Sequence, residues 1–498
     1  MTTPRKGRLW WTWFLVLFFI QAAAPAGAET LLAALPVGPD NLDPHQDPDP
    51  RALTFIHPCY QRLTALRAED GRPEPSLAVT WRLSEDGRWY TFVLKEGETF
   101  SDGRPVDAEA VLYSFQRTMV PGRAGSRLCP ELTGLRVLGP HTVRFILSRP
   151  SVSFLYFLAS APASIVSPGA AGLAPDHLDR NSLGSGPYRV ESFRPGREIT
   201  LAARTEAGLK PRIDRFTVFF QPDPDERKEM LCAGQVHLAE DLDPGIGTAF
   251  EFETDVTLVS APLYRGRLLA FNTARSWLDR TEVRRALALV LDSEEPARLD
   301  PWLGGTRTAG PPAPARFQAS GPPPGAPEEE ALLENETADR PARTLALAFD
   351  PGVPGLEAQA RWVARRLNDL GLEVSLAEYR GPLPRENGYD LLLFDPAPVL
   401  GGPWGWLENL VGSGNLACFQ DPEVLDLLEQ ARTASGDNRR RAGLYGRLEE
   451  IMKNKVPYVF LYQHRKRIGL SRQVKAFILN PFLPQAYPLT EMDLAQIE

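Results

Sequence analysis

The chain has 498 residues, of which 43% are hydrophobic and 24% charged, and its formal net charge is −8 at pH 7. This length allows several domains and a core large enough to need no disulfide support. The acidic balance argues against binding along a nucleic-acid backbone, because such proteins carry a basic face. The sequence has one long apolar run, which excludes a protein with several membrane spans.

The first 28 residues have the pattern of an export signal. Three basic residues precede an eleven-residue apolar segment at 10–20, and a small-x-small cleavage pattern ends at Ala28. Eleven helical residues span only about 16 Å, which is too short for a bilayer core of about 30 Å. We therefore expect cleavage after Ala28 and a soluble periplasmic protein, whose net charge falls from −8 to −11 when the three positive charges are removed. The alternative is an uncleaved anchor that extends through the Ala-rich stretch to Ala28.

The four cysteines, Cys59, Cys129, Cys232 and Cys418, lie far apart, and no CxxC pair occurs. This spacing supports neither a thioredoxin-like motif nor a zinc knuckle. In an oxidising compartment the alternatives are buried thiols, one disulfide or two disulfides, and the spacing does not choose between them.

The elements of the first half of the chain are predicted from alternation, turn residues and helix caps. Asp107 is the expected N-cap of a helix whose residues Val111, Phe115 and Met119 share one face. The other elements are strands at Leu31–Leu35, Trp89–Leu94 and His141–Leu147, a hairpin within 184–204, a strand at Arg215–Gln221, a helix at Asp225–Ala233, a strand at Leu268–Asn272 and a helix capped by Thr281.

The second half contains the clearest supersecondary unit. Residues 310–327 include seven prolines and predict an extended loop. After this loop, a strand at Thr344–Phe349, a helix and a strand at Leu372–Ala377 predict a βαβ unit with a partly parallel sheet. The helix stripe is Leu356, Ala360, Val363, Leu367 and Leu370, with Gly371 at its end, and the later elements are Tyr389–Phe394, Glu423–Arg432, Arg440–Met452 and Tyr458–Leu461.

Catalytic motifs are absent from the sequence. There is no HExxH, P-loop, GxSxG or GxGxxG pattern, and the six histidines never pair at i, i+4 spacing. We therefore expect no enzyme, no metal site and no cofactor.

Two aromatic features are candidates for ligand contact. Trp404 and Trp406 follow a predicted strand end, which is where ligands gather in α/β sheets, and core packing is the alternative. Tyr264 and Arg265 precede the strand at Leu268–Asn272. The arginine is of the type that pairs with an anionic group, although a solvated surface arginine is the favoured interpretation.

Several motifs follow one another in a fixed order along the mature chain: LDPH (42–45), the segment 75–117, GSGPYRV (184–190), LAFNT (269–273), VRRALALVLD (283–292), the βαβ unit and NGYDLLL (387–393). Together they resemble the extracellular solute-binding proteins of family 5, the oligopeptide- and dipeptide-binding components of ABC importers. The resemblance covers nearly all of the mature chain. The segment 75–117 is its most specific part, because so many fixed spacings rarely coincide by chance.

The resemblance implies an α/β type II periplasmic-binding-protein fold, in which two lobes surround a cleft and an extra domain is inserted in the first lobe. After the signal peptide at 1–28, lobe I comprises 29–60 with 180–265 and 466–498. The inserted domain is 61–179, and lobe II is 266–465. Two strands cross between the lobes.

The resemblance also bears on the ligand site. Peptide-binding members resemble the pattern YDL-x-L-x-GW-x-ADYPDPDNFL, in which an aspartate meets the α-ammonium of the peptide. When Tyr389 is aligned with the start of that pattern, Val399 and Gly402 fall on its acidic positions. Asp395 is the nearest carboxylate and replaces them only if the loop differs. We infer a ligand without a free amino terminus, or a protein that no longer captures peptides.

The function implied is capture of a small solute, peptide-like or other, and its delivery to the permease of an ABC importer. The protein is expected to be a monomer that binds no nucleic acid. Trp404, Trp406, Asp395, Arg265 and Tyr264 are the candidate ligand contacts. The alternative is a sensor or accessory protein that uses the same fold without transport.

Overall fold

The structure is a computed structural model that describes residues 29–46, 49–68, 70–151, 153–205, 211–242, 255–299, 305–306, 343–353, 355–380, 388–396, 407, 410–412, 415–434, 438–477, 479, 487–490 and 492–494. The export signal at 1–28 and the proline-rich segment 310–327 lie outside these residues. Their predictions therefore stay predictions.

Two of the strands within the described residues have 14 residues or more, and the others have eight or fewer. In chain order they are β1 (Thr30–Leu35), β2 (Thr64–Leu66), β3 (Pro73–Pro75), β4 (Ala78–Leu83), β5 (Trp89–Leu94), β6 (Leu132–Gly139), β7 (Thr142–Leu147), β8 (Tyr188–Arg194), β9 (Glu198–Ala203), β10 (Arg215–Phe220), β11 (Leu238–Glu240), β12 (Val256–Phe271), β13 (Gly305–Thr306), β14 (Thr344–Phe349), β15 (Glu373–Glu378), β16 (Leu391–Phe394), β17 (Tyr458–Ser471), β18 (Val474–Lys475) and β19 (Asp493–Leu494).

The α-helices in the same part of the chain vary from a single turn to five turns. They are α1 (Leu53–Cys59), α2 (Ala108–Thr118), α3 (Ala124–Leu128), α4 (Ser153–Phe157), α5 (His177–Arg180), α6 (Pro224–Cys232), α7 (Thr281–Val290), α8 (Glu295–Arg298), α9 (Leu356–Asn368), α10 (Pro422–Thr433) and α11 (Asn438–Lys455). No helix among the described residues is long and apolar enough to cross a membrane.

One sheet of eleven strands joins most of the described chain, in the order β15-β14-β16-β12-β17-β11-β1-β10-β9-β8, with β13 beside β17. Its two long strands, β12 and β17, are antiparallel neighbours over most of their length. β11 pairs with one end of this long pair, and β16 pairs with the other end. The long pair therefore carries the sheet from one α/β half of the molecule to the other.

The two long strands were predicted in the right places but much too short. The apolar segments Leu268–Asn272 and Tyr458–Leu461 account for one end of each strand. The rest of β17 alternates between buried side chains and partly exposed polar ones, such as Gln463 and Arg465. An apolar run marks only the length of strand that is covered on both faces, so it underestimates a strand that is partly exposed.

The first half of the sheet confirms the predicted strands and hairpin. β1 is parallel to β10 and β11, and β8 and β9 form the antiparallel hairpin beyond β10. The GSGPYRV motif lies against the end of α1. A Cβ atom on Gly184 would be 2.0 Å from the Cys59 carbonyl oxygen, and one on Gly186 would be 2.3 Å from that of Pro58. Only glycine allows this close approach of two backbones.

A separate four-stranded sheet, in the order β4-β5-β7-β6, packs against α2. The Asp107 side chain accepts a hydrogen bond from the Ala110 amide at 2.9 Å, which confirms the predicted N-cap. Val111 and Phe115 are buried on the predicted face, whereas Met119 is the C-cap residue and is only partly buried. This sheet has a hydrophobic core of its own, distinct from the clusters of the large sheet.

The LDPH motif connects this smaller sheet to the first half of the large one. Asp43 is fully buried and accepts two hydrogen bonds from the Arg117 guanidinium, at 2.7 and 2.6 Å. Arg117 lies at the end of α2. His45 donates from Nε2 to the Ser164 carbonyl oxygen at 2.8 Å. A buried ion pair and a buried imidazole therefore hold the loop after β1 against the inserted segment.

The second half confirms the βαβ unit. β14 and β15 are parallel neighbours, and α9 connects them. Four members of the predicted stripe, Leu356, Ala360, Val363 and Leu367, are buried, whereas Leu370 lies beyond the helix end and is only partly buried. Gly371 has a φ of +80°, a left-handed conformation that favours glycine after a helix C-terminus.

The expected cap of α7 is wrong by one residue. Thr281 is the first residue of the helix, and Arg280 occupies the N-cap without a side-chain hydrogen bond to the backbone. The Thr281 hydroxyl instead accepts a hydrogen bond from the Arg284 guanidinium at 3.1 Å. Arg284 also donates to the carbonyls of Leu278 and Val456. The buried arginine thus uses the hydroxyl that the sequence assigned to the helix terminus.

The cysteines form no disulfide among the described residues. Cys59 and Cys129 are buried, Cys232 is exposed and Cys418 is partly buried. Burial is the main cause that raises the pKa of the Cys59 thiol to about 12. Of the alternatives left open by the spacing, the structure has thiols without a disulfide, and only those of Cys59 and Cys129 are buried.

Candidate functional site

The ladder between β12 and β17 is irregular where the two strands pass from one half to the other. From Pro262 to Gly266 β12 advances four residues, while its partners on β17 advance only from Arg465 to Gln463. A Cβ atom on Gly266 would lie 2.6 Å from the Tyr462 carbonyl oxygen. Bulges bend a strand and increase its twist, so both strands can change direction here.

An ion pair lies beside this irregularity. Asp395 comes directly after β16, and Arg267 lies on β12. Arg267 donates from Nε to Asp395 Oδ1 at 2.6 Å and from Nη2 to Oδ2 at 3.3 Å. The arginine side chain is only 2% exposed, whereas that of the aspartate is 14% exposed. Arg267 therefore balances the charge of the carboxylate from the protein interior, and one edge of Asp395 remains accessible to solvent.

A buried polar network extends from this pair. His464 Nε2 lies 3.1 Å from Asp395 Oδ1. Arg267 also donates to Gln359 Oε1 at 2.6 Å, and Gln359 donates to the Tyr462 hydroxyl at 2.7 Å. Gln359, Tyr462 and His464 are all fully buried. The network joins β12, β17, α9 and the end of β16, so it fixes the relative position of these four elements.

The negative charge at this position affects a neighbouring phenol. Burial, followed by the charges of Asp350 and Asp395, raises the pKa of Tyr379 to about 12. Tyr379 directly follows β15. Because its pKa is this high, its hydroxyl is neutral at neutral pH. A neutral hydroxyl both donates and accepts hydrogen bonds, which suits recognition of polar but uncharged groups.

A second ion pair lies on the other side of the irregularity. Lys466 on β17 is 2.5 Å from Glu240 of β11, and both side chains are less than 10% exposed. Arg227 of α6 is buried below this pair and donates to the carbonyls of Glu240 and Asp241. Each half of the molecule therefore has its own buried charged group where the long strands enter it.

The structure describes only part of the predicted site. Trp404 and Trp406 lie outside the described residues, as do Val399 and Gly402 of the aligned loop. Tyr264 and Arg265 lie in the irregular stretch of β12, and the structure does not describe their side chains. Asp395 is the one predicted contact whose side chain is described. Its pairing with Arg267 differs from the free carboxylate that an amine ligand would need.

Sequence reasoning missed Arg267, Gln359 and His464. Arg267 leads directly into an apolar run, which is a signal for a buried rather than a solvated arginine. Gln359 lies three residues after Leu356 and therefore on the buried stripe of α9, where a polar side chain needs a partner. His464 stands in the basic segment QHRKR, which reads as a solvated surface. For this histidine the sequence has no usable signal.

Metal-binding clusters of three or more His, Cys, Asp or Glu side chains are absent from the part of the chain that the structure describes. The network around Asp395 is arranged for hydrogen bonding and charge balance. One edge of Asp395 remains exposed beside this network.

Comparisons with known proteins agree with this architecture. A family model described as bacterial extracellular solute-binding proteins, family 5 Middle, matches residues 72–417. The chain is 27% identical over 496 residues to a probable D,D-dipeptide-binding periplasmic protein of Escherichia coli K12, covering 95% of this chain and 96% of the relative. It is 24% identical to di/tripeptide-binding protein 2 of Pseudomonas aeruginosa, covering 98% of this chain and all of the relative.

Solved structures share the fold. HbpA2 from Haemophilus parasuis superposes with a TM-score of 0.79 at 21% identity, covering 94% of this chain and all of that chain. A dipeptide-binding protein from a Pseudoalteromonas species, solved with Met-Leu, has a TM-score of 0.74 at 19% identity, with the same coverage. The predicted type II periplasmic-binding-protein fold, with two α/β lobes and an additional domain, is therefore confirmed.

Proposed function

Because this chain belongs to the bacterial extracellular solute-binding proteins of family 5, we propose that it captures a peptide-like solute outside the cytoplasm and delivers it to the permease of an ABC importer. One observation carries this proposal: the family model spans the region that contains β12, the long strand which joins the two halves of the sheet. Curated relatives that match nearly the whole chain carry the names of peptide-binding proteins.

The lobe boundaries predicted from the sequence are part of the proposal. They divide the molecule at 265/266 and 465/466. The first division falls within the stretch where β12 and β17 lose their regular register, and the second lies directly beside the end of that stretch on β17. Strands that cross between lobes need a place to bend, and a bulge supplies it. We therefore propose that the lobes close over the solute by bending at this irregular stretch.

The chemical class of the solute follows from Asp395. An aspartate that receives a peptide ammonium must offer a carboxylate whose charge is not already balanced. Here Arg267 and His464 both contact that carboxylate. A ligand ammonium would have to compete with a buried guanidinium, which is charged at every accessible pH. We propose that the preferred solute lacks a free ammonium at this end.

Trp404 and Trp406 are the proposed aromatic contacts of the solute, and Tyr264 and Arg265 are proposed to line the same cleft. Tryptophan covers a large apolar area and keeps one hydrogen-bond donor for a polar solute. We also propose that the protein is exported with cleavage after Ala28, acts as a monomer, binds no nucleic acid and turns over no substrate.

A thermal-shift screen of residues 29–498 tests the proposal. One arm contains di- and tripeptides, and the second contains the same peptides with an acetylated amine. A ligand at 100 times its dissociation constant stabilises the folded state by about 2.7 kcal/mol, which raises the unfolding midpoint visibly. We expect the acetylated arm to give the larger shift. A larger shift with free peptides, abolished by acetylation, contradicts the proposal about the ammonium but supports peptide capture.

Variants then locate the site. Trp404→Ala and Trp406→Ala should each weaken the affinity for the peptide identified in the screen by about tenfold or more, as expected for an aromatic anchor. The matched control is Trp89→Ala, which removes an exposed tryptophan from the four-stranded sheet. Unchanged binding in both cleft variants overturns the assignment of these tryptophans. No shift with any peptide, and unchanged peptide uptake in a deletion strain, overturns the importer function.

A further inference from the structure

The four-stranded sheet has an outer face with an uneven distribution of charge. Strands β4, β5, β6 and β7 contain three arginines and no lysine, aspartate or glutamate. The strand register places all three in one row. Arg82 is opposite Thr91, Thr91 is opposite Arg144, and Arg144 is opposite Arg136. Because neighbouring strands are about 4.8 Å apart, this row crosses about 14 Å of the sheet.

This row lies on the solvent side of the sheet. Phe92 and Phe145, the neighbours of Thr91 and Arg144 along their strands, are fully buried in the core under the sheet. Since successive side chains point to opposite faces, the arginine row faces outward. Trp89 lies on the same face, two residues before Thr91, and is 45% exposed.

The three arginines lack a carboxylate partner among the described residues. Arg144 donates to the Thr91 hydroxyl at 3.1 Å and lies over the Trp89 ring at 5.2 Å. At the sheet edge, Glu131 is already paired with Arg149 at 2.7 Å. Arg136 and Arg144 are directly opposite each other, and like charges in such a cross-strand pair are destabilising. An anionic surface placed over the row would remove this repulsion.

We propose that the outer face of this sheet, defined by Arg82, Arg136, Arg144 and Trp89, docks on anionic phospholipid headgroups of a membrane surface. A guanidinium pairs with a phosphate through two parallel hydrogen bonds. A row of about 14 Å is wider than a single phosphate and matches several neighbouring headgroups. Tryptophan is enriched at the membrane–water interface because its ring is apolar and its N–H is polar.

The distribution of charge over the whole chain favours one orientation. Segment 61–179, which contains this sheet, has thirteen Lys and Arg and thirteen Asp and Glu, so its net charge is zero. The net charge of −11 of residues 29–498 therefore resides entirely outside it. An anionic bilayer repels the acidic lobes and attracts the arginine row. The protein would then approach the membrane with the inserted sheet first.

Vesicle sedimentation tests the proposal. Residues 29–498 are mixed with vesicles of phosphatidylcholine alone or of phosphatidylcholine with phosphatidylglycerol, at ionic strengths of about 0.01 M and about 1 M. We expect binding only to the anionic vesicles and only at low salt. Each arginine near an anionic surface contributes about 1 kcal/mol, so the triple variant Arg82→Gln/Arg136→Gln/Arg144→Gln should lose about 100-fold in partitioning.

The matched control is Arg298→Gln/Arg361→Gln/Arg447→Gln. It changes the net charge equally but removes exposed arginines that already pair with glutamates. This control should partition like the wild type. Thermal melting provides a second readout: Arg136→Gln should raise the unfolding midpoint, because it removes the repulsion of Arg144.

Three outcomes overturn the proposal. Equal losses in both triple variants would mean that only net charge matters. Binding to neutral and anionic vesicles alike would exclude headgroup recognition. Binding to polyglutamate but not to anionic vesicles would identify the face as a site for an acidic protein. Loss of peptide binding is not expected in any of these variants, so the result is independent of the proposed solute.

Discussion

Two buried aspartate–arginine pairs of this molecule differ in which partner reaches the solvent. In the LDPH loop the aspartate is completely buried and Arg117 is 14% exposed. At the crossing strands Arg267 is 2% exposed and Asp395 is 14% exposed. The first pair therefore presents its positive end to solvent, and the second presents its negative end. A stranded carboxylate can be neutralised by a proton, but a stranded guanidinium cannot.

This difference predicts which pair is costlier to break and how the cost depends on pH. Burial, the largest influence on Asp43, raises its pKa, but the hydrogen bonds and charge of Arg117 outweigh it, so the pKa lies below its usual value. The first pair joins a loop to a helix. The second lies beside the irregular register of the long strands, where we propose that the lobes bend.

The largest effect is expected for Asp395→Asn. The substitution keeps the shape of the side chain and leaves the Arg267 charge buried without its counterion. Breaking a buried pair in this way costs about 3–5 kcal/mol. We expect the loss, measured by urea unfolding, to be nearly the same from pH 5 to pH 8. The double variant Asp395→Asn/Arg267→Met should recover part of it, and failure to do so would indicate that the loss has another origin.

Arg117→Met should cost nearly as much at neutral pH but less in acid. The stranded Asp43 can take up a proton, and from its usual pKa of 3.8 this limits the penalty to about 4 kcal/mol at pH 7 and about 2 kcal/mol at pH 5. The deficit relative to wild type should therefore shrink as pH falls. Arg123→Met is the control, because Arg123 is 3.6 Å from the same carboxylate and more exposed. A loss of stability that is constant with pH would contradict the expectation that Asp43 takes up a proton when Arg117 is removed.

Gly266→Ala tests whether the second pair lies at a bend. The added Cβ would be 2.6 Å from the Tyr462 backbone oxygen, so the strands must separate. Overpacking of this kind costs about 1–3 kcal/mol and should also weaken any ligand that requires lobe closure. Gly139→Ala, in β6, is the matched control, because a Cβ there has no neighbour within 4 Å. Equal melting temperatures for the two variants would exclude a special role for Gly266.

The smallest effect concerns His45, which lies in the first cluster. Burial, followed by the charge of Arg117, lowers its pKa from 6.5 to about 4. The charge of Arg123 acts in the same direction, while Ser164 and Asp43 act against it. The unfolded chain thus binds more protons between pH 6.5 and 4, so stability is lost as pH falls through this range.

At pH 5 the loss attributable to His45 is about 2 kcal/mol. His45→Gln keeps a donor for the Ser164 carbonyl and does not titrate. The variant should therefore lose less stability than the wild type between pH 7 and pH 5, measured by urea midpoints. An identical pH dependence would show that His45 does not control this range.

Local patterns were sufficient for most of the fold. The βαβ unit from Thr344 to Glu378, the Asp107 cap and the hairpin at β8 and β9 follow from periodicity and turn chemistry, which act over a few residues. The family resemblance was also carried by the sequence, because its motifs preserve spacing. The length of β12 and β17 was not, since a strand partly exposed to solvent has no continuous apolar signature.

The sequence alone determined that this protein has the architecture of a solute-binding protein and named Asp395 as a candidate contact. Only the tertiary structure decided what Asp395 does. Its partners are 128 residues away at Arg267 and 69 residues away at His464, on strands that the fold brings together. The arginine row of the four-stranded sheet has the same origin. Charge and burial depend on neighbours in space, and the pairing of strands that are far apart in the sequence decides those neighbours.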